Sequence, residues 1–322
     1  MNILVTGGSG FIGTNLITRL LSEQGWVIKN IDINKPKNLK QIYLWDKCDI
    51  LDRKSLKSIF QNFNPEIVIH LAARTDLNSK LLECYKSNTL GLENLIHCCN
   101  TTLNLKRVIF TSSMLVCRLG YIPVNDQDWC PTTAYGQSKV KGEQLVRSQI
   151  NCNIEWIIVR PTSLWGPWFE KPYINFFNVV RAGYFMMPRN LKVYRSYGFI
   201  LNSVDQLISL IKSKHKDNLY KVYYISDYET IELMEWAQEI IKYSKQGRVY
   251  KLPWLVLKIL AVIGDCIQLM GFKSVPLTSF RLNNMATNAI INNDKLREIC
   301  GPQKYSMKDG VAITIDWLEQ NK

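Results

Sequence analysis

Histidine is scarce, with three in 322 residues, and the nine cysteines (48, 84, 98, 99, 117, 130, 152, 266 and 300) show no C-x-x-C spacing. They supply neither the ligand pattern of a zinc site nor an even disulfide framework, so no metal is expected, and unpaired cysteines suit a reducing cytoplasm. No uninterrupted apolar run reaches the ~20 residues of a membrane-crossing helix. The apolar strand at the N-terminus leaves no room for a signal peptide ahead of it. Internal repeats, low-complexity tracts, dense basic runs and the signatures of nucleic-acid modules are all absent, which excludes nucleic acid as the expected partner. Charge of one sign is nevertheless in excess, 40 Lys and Arg against 27 Asp and Glu, and a net charge of +13 suggests an acidic ligand or surface. Two acid-free stretches contribute: Arg181, Arg189, Lys192 and Arg195, then Lys242, Lys245, Arg248, Lys251 and Lys258. A solvated face accounts for either. The length predicts one large domain with a smaller lobe.

The chain is organised around Thr6-Gly7-Gly8-Ser9-Gly10-Phe11-Ile12-Gly13, where an apolar strand (Ile3, Leu4, Val5) hands over to a helix over residues 15–21. The Gly7, Gly10, Gly13 spacing differs by one residue from G-x-G-x-x-G and uses the same physics. Gly7 allows a tight turn, Gly10 lets the backbone approach a pyrophosphate, and Gly13 lets the helix pack closely on the sheet. The helix N-terminus then faces the phosphates.

A second apolar strand over residues 26–32 ends on Asp32, about twenty residues beyond the turn, where a carboxylate can bind the ribose hydroxyls of NAD. Lys35 and Lys37 follow closely enough to bind a 2′-phosphate, so NADP stays open. Cys48-Asp49-Ile50 reads as a short strand end whose carboxylate could accept from an adenine amino group. Residues 53–62 have helical spacing and Pro65 stops them. Ile67-Val68-Ile69-His70-Leu71-Ala72-Ala73 is continuous and apolar, the pattern of a strand buried on both faces. His70 reads as a core or strand-end residue, since no partner lies at a catalytic spacing. Strands alternating with helices predict a doubly wound α/β Rossmann-type sheet.

Thr111-Ser112-Ser113 follows the fifth strand, and Tyr135-Gly136-Gln137-Ser138-Lys139 opens a helix. Positions i and i+4 share one helix face, so the Tyr135 hydroxyl and the Lys139 ammonium stand side by side. A nearby ammonium stabilises tyrosinate and lowers a pKa that would otherwise be about 10. Tyr135 then becomes usable as an acid or base near neutrality, with Ser113 holding the reacting oxygen against it.

With these residues the chain resembles the extended short-chain dehydrogenase/reductase family, the branch of nucleotide-sugar epimerases, dehydratases and reductases that also includes 3β-hydroxysteroid dehydrogenases. The resemblance covers nearly the whole chain and adds Arg160-Pro161 and Trp165-Gly166-Pro167. It implies Ser113, Tyr135 and Lys139 as catalytic, with Lys139 also on the nicotinamide ribose. It implies Gly7, Gly10, Phe11, Ile12, Gly13, Asp32, Asp49, Ile50, Leu71, Ala72, Ala73, Asn88, Thr111 and Pro161 around NAD. A homodimer follows from the same resemblance, packed through helices around residues 81–98 and near Tyr135. So does an enzyme that oxidises or epimerises a secondary alcohol of a nucleotide sugar. A hydroxysteroid-type dehydrogenase and a non-catalytic NAD-binding sensor are the alternatives.

The departures restrict the chemistry. Dehydratases of the family carry Asp-Glu after the strand-end serines, where this chain has Met114-Leu115. Epimerase-reductases of the fucose-synthase kind use Cys at the position of Met114. The Asn that often meets substrate phosphate is Ser163 here, and the phosphate-binding Arg before a strand read over residues 197–204 is displaced to Arg195. Arg281 is a second candidate for that role, and Ser112 joins the substrate set. The domains are expected at 1–164 with 197–227, and at 165–196 with 228–322. The aromatic run from Trp165 to Phe185 reads as lobe packing. Residues 254–271 read as a helix buried in that lobe, with a peripheral membrane helix, set among Lys251 and Lys258, as the alternative.

Overall fold

The computed structural model describes residues 1–170, 173–214, 218–272, 275 and 277–321. In chain order the elements begin β1 (Asn2–Thr6), α1 (Phe11–Leu20), β2 (Val27–Asp32), β3 (Trp45–Lys47), α2 (Arg53–Phe63) and β4 (Ile67–His70). Next come α3 (Leu90–Asn100), β5 (Arg107–Thr111), α4 (Ala134–Gln149), β6 (Glu155–Pro161), β7 (Ser163–Trp165), α5 (Tyr173–Arg181) and β8 (Phe185–Pro188). They continue with β9 (Tyr194–Arg195), β10 (Tyr197–Phe199), α6 (Ile200–Lys212), β11 (Lys221–Ile225), β12 (Ile231–Glu232) and α7 (Leu233–Ser244). The last are β13 (Val249–Leu252), α8 (Trp254–Leu269), α9 (Ser279–Ala286), α10 (Asp294–Cys300) and α11 (Met307–Gln320).

The chain divides into two compact units, each built from discontinuous segments. The first holds 1–164, 198–228 and 292–304. Its sheet has seven strands in the order β11-β6-β5-β4-β1-β2-β3, and every pairing is parallel. The expected doubly wound α/β fold is therefore present. β1, β4 and β5 read as apolar runs because both faces of the sheet are covered by helices; Leu4, Val5, Val68, Ile69 and Val108 are completely buried. The strand order reverses between β1 and β4, and at such a switch point ligands bind beyond the carboxyl ends of the strands.

Local signals set the boundaries. Asp52 caps α2 by accepting from the N–H groups of Lys54 and Ser55, and Asn64 ends it in the left-handed region at φ 48°. Thr133 caps α4 through the Gly136 N–H at 3.0 Å, which places Tyr135 in the first turn.

Three expectations need correction. The stretch read as a strand over 197–204 is a strand only to Phe199. From Ile200 it is the helix α6, whose buried Ile200, Val204, Leu207, Ile208 and Ile211 recur at helical spacing. Residues 292–304, expected in the second lobe, belong to the first unit. There Asn293 donates to Ser226 Oγ, and Gln303 donates to Asp227 Oδ1 at 3.0 Å.

The third correction concerns α8, in the second unit (165–197, 229–291 and 305–321 of the described chain). That unit packs an aromatic core in which Trp236 stacks on Phe176 at 4.4 Å and meets Trp165 at 5.2 Å and Phe177 at 5.5 Å. The aromatic run thus serves packing, as expected. α8 does not join it. Only Leu257, Ala261 and Gly264 of α8 are buried, against Leu282 with Met186, Leu252 and Leu277 around them. The rest of the helix lies at the surface.

Candidate active site

The glycine turn sits at the carboxyl end of β1. Gly7 has φ +72°, and a Cβ there would stand 2.5 Å from the Ala72 nitrogen, so only glycine fits between the turn and the chain leaving β4. A Cβ on Gly10 would meet nothing nearer than the Gly7 carbonyl at 3.4 Å. Gly10 caps α1 with no side-chain bond, and the first turn holds no acid. A bare helix N-terminus beside open space suits a diphosphate.

At the end of β2, Asp32 accepts from the Ser9 N–H at 3.1 Å and the Asn34 N–H at 2.9 Å. Burial pushes its carboxyl up, and those backbone donors oppose the shift. The acid is thereby tied to the glycine turn itself. Ile12, Leu71, Thr111 and Pro161 line one pocket at this edge, all of them expected around NAD. Thr111 Oγ1 is buried with no partner among the described residues, a hydroxyl left for a ligand to satisfy. The open Gly10 cradle and this orphaned hydroxyl both fit an NAD molecule laid along the strand ends.

α4 docks on the end of β5. Lys139 Nζ donates to the Thr111 carbonyl at 2.8 Å and lies 5.9 Å from the Tyr135 ring centroid. Tyr135 and Lys139 are both buried, and the Tyr85 ring is 6.1 Å from that of Tyr135. Burial draws the Lys139 ammonium down to about 8, with Glu143 holding it up. Ser113 accepts the Leu115 N–H at 3.1 Å, which leaves its own O–H to donate. His70 is not a base here. Its Nδ1 pairs with Thr6 Oγ1 at 2.7 Å, and burial with the Lys139 charge holds it neutral, its pKa pulled down to about 3.

Sequence reasoning missed Glu143. It continues the Tyr135 and Lys139 face one turn further, and that i+4 step was the available signal. Glu143 accepts from Ser112 Oγ at 2.6 Å, Trp129 Nε1 at 3.1 Å, and Arg160 Nε and Nη2 at 2.8 and 2.7 Å. Arg160 also donates to the Asp126 carbonyl at 2.6 Å and the Tyr224 hydroxyl at 3.1 Å. Ser112, expected at the substrate, is committed to this buried network.

Other expected residues have visible tasks. Asn88 clamps Arg74, accepting its N–H at 2.8 Å and donating to its carbonyl at 2.9 Å, and also donates to Ser138 Oγ at 2.9 Å. Ile50 is buried where Gly91 of α3 leaves room for it, while Asp49 is exposed and accepts from the Leu51 N–H at 2.9 Å. Ala73 is half-buried in the segment leaving β4. Ser163 opens β7. In the second unit, Arg281 donates to the Val275 carbonyl. Arg195 is buried, donates to the Asn284 carbonyl and leaves Nε unpartnered among the described residues. Burial pulls its pKa down, and the neighbouring phenols of Tyr197 and Tyr173 oppose that shift.

A family model described as the NAD dependent epimerase/dehydratase family matches residues 3–225. The chain belongs to that family. As a member of the NAD dependent epimerase/dehydratase family it is an enzyme whose cofactor is NAD, as the glycine turn and Asp32 led one to expect. It is 24% identical, over 98% of its length and 95% of the other, to N-acetyl-alpha-D-glucosaminyl-diphospho-ditrans,octacis-undecaprenol 4-epimerase of Escherichia coli O157:H7. It is 29% identical, over 74% of each chain, to UDP-glucose 4-epimerase of Vibrio cholerae. Among solved structures it resembles UDP-glucuronic acid 4-epimerase from Bacillus cereus, in complex with UDP-glucuronic acid and NAD. The TM-score is 0.74 at 20% identity, covering 100% of both chains. No helix among the described residues is long and apolar enough to cross a membrane.

Proposed function

We propose that this family member interconverts a secondary hydroxyl and its ketone on a sugar carried through a diphosphate, with epimerisation as the outcome. The observation that carries the reading is the Tyr135 and Lys139 pair on the buried face of α4, docked through Thr111 at the strand edge where the glycine turn opens. Binding NAD alone, as a sensor would, requires no such pair. Bound NAD supplies the hydride acceptor and donor. Tyr135 accepts the hydroxyl proton on oxidation and returns it on reduction, the Lys139 charge lowers the cost of the tyrosinate between, and Ser113 donates to the reacting oxygen. Met114-Leu115 provides no acid to protonate a leaving hydroxyl, which argues against dehydration.

Arg195 supports the diphosphate. A guanidinium that is buried, with Nε unpartnered among the described residues, suits an anionic ligand group. Two carriers share that chemistry, a nucleoside and a polyprenol, and both occur in the names of the relatives. The test is incubation of the NAD-loaded protein with UDP-glucose, UDP-N-acetylglucosamine, polyprenyl-diphosphate-linked N-acetylglucosamine and a 3β-hydroxysteroid, with products read by NMR. Inversion of one sugar centre, abolished by Tyr135→Phe, is the expected result, and the substrate that turns over names the carrier. Turnover of the steroid alone, or of none, overturns the reading. The proposal includes a homodimer, checked by light scattering, and a reducing cytoplasm, consistent with nine cysteines that are all free.

A further inference from the structure

We infer that α8 with its flanks is a docking surface for an anionic lipid bilayer. Leu257, Ala261 and Gly264 form the buried stripe of α8. Around the rest of the helix most exposed residues are large and apolar, with Leu255 at 68%, Ile259 at 54%, Val262 at 56% and Leu269 at 87% exposed. Phe272 and Phe280 extend the patch at 63% and 74%. Together these side chains present on the order of 1,000 Å² of apolar surface, beyond the few hundred Å² that soluble monomers show in one patch.

Charge complementarity selects the occupant. Lys242 is paired with Glu239 at 2.9 Å, but between residues 245 and 281 the chain has six Lys and Arg and one acid, Asp265. That acid is used internally, where its carboxylate accepts from the Ser279 N–H at 3.1 Å. The bases gather at the N-terminal end of α8. β13 pairs with β8, and Arg189 donates to the carbonyls of Leu252 and Lys251 at 2.8 and 3.1 Å. Lys258 Nζ stands 5.7 Å from the Trp254 ring, and the Arg248 guanidinium 5.8 Å from that of Tyr250. An apolar helix edged by cations and interfacial aromatics matches the headgroup boundary of an anionic membrane. A second copy of the same surface would bring these cations against each other. With 16 residues the helix is about 24 Å long, too short to span, so it lies in the interface plane. The inference does not depend on which sugar carrier the active site takes.

The test is flotation of the full chain with phosphatidylcholine vesicles, with and without phosphatidylglycerol, at low and high salt. Salt-sensitive binding to the anionic vesicles is expected. The double change Lys251→Gln, Lys258→Gln should weaken it roughly 30-fold, at about one kcal/mol for each charge removed at the surface. Leu255→Ser with Ile259→Ser should abolish binding while NAD affinity and melting temperature stay those of the wild type, since these side chains contact solvent. No wild-type binding, or binding that both pairs of changes leave intact, overturns the inference. So does a dimer that Leu255→Ser with Ile259→Ser dissociates, since a second copy would then cover the face. Failure of the active-site reading would appear instead as absent sugar turnover with vesicle binding intact.

Discussion

Replacing Glu143 by Gln asks whether the buried face of α4 works as one electrostatic unit. The change keeps the shape of the side chain and removes one charge, leaving Arg160 buried without its carboxylate. Breaking one partner of a buried pair costs about 3–5 kcal/mol, against typical total stabilities of about 5–15 kcal/mol, so the variant should fold with a lower Tm. The second consequence reaches Lys139. Groups four apart on a helix face lie about 6 Å from each other. A unit charge at that distance is worth roughly 3 kcal/mol at an effective dielectric of about 20, or about two pKa units. Compensation of Glu143 by Arg160 reduces this to about one unit. Burial already draws Lys139 down to about 8 while Glu143 holds it up, so removing the carboxylate moves it toward neutrality. The ammonium is the form that stabilises tyrosinate. The alkaline limb of kcat/KM, with the epimerised product followed by NMR, should therefore shift about one unit to lower pH. Trp129→Phe removes only the 3.1 Å bond from Nε1 to Glu143, keeps the charge and should leave the limb in place. If folded Glu143→Gln gives the wild-type limb, Glu143 only packs and the electrostatic reasoning fails.

Tyr135→Phe should leave NAD affinity nearly intact and lower turnover about 10²–10⁴-fold, and unchanged turnover would remove Tyr135 from the chemistry. Asp32→Ala should weaken NAD far more than NADP in titrations, and equal losses would deny its part in reading the ribose. His70 has a folded pKa of about 3 against 6.5 unfolded, so the unfolded state binds more protons between those values. Its contribution is full above pH 6.5 and is lost as pH falls toward 3, up to about 5 kcal/mol, and urea melts of His70→Asn should show a flatter acid dependence. Leu257→Ala should cost about 2–5 kcal/mol, whereas Ile263→Ala, on the exposed side, should cost little in the same melts.

The glycine turn and the Tyr135 and Lys139 pair were legible in the sequence because their physics is local. A strand, a turn and a helix within eight residues define the first, and one turn of helix defines the second. Arrangements between distant segments were not. Glu143 and Arg160 are 17 residues apart, and only the packing of α4 against β6 and Tyr224 makes them a buried pair. The contacts of Asn88, which the resemblance alone put beside the cofactor, reach Arg74 and Ser138, 14 and 50 residues away, and were set by the fold. Gln303 and Asn293 joined the first unit through Asp227 and Ser226, which no spacing announces. The helix α8 marks the boundary most clearly. Its sequence specifies a helix that is apolar nearly all round, and such a pattern has no preferred inward face. The side of α8 that meets protein, and how much of it, was decided by what the tertiary structure offered: Leu282, Met186, Leu252 and Leu277 cover one stripe, and the remainder stays at the surface.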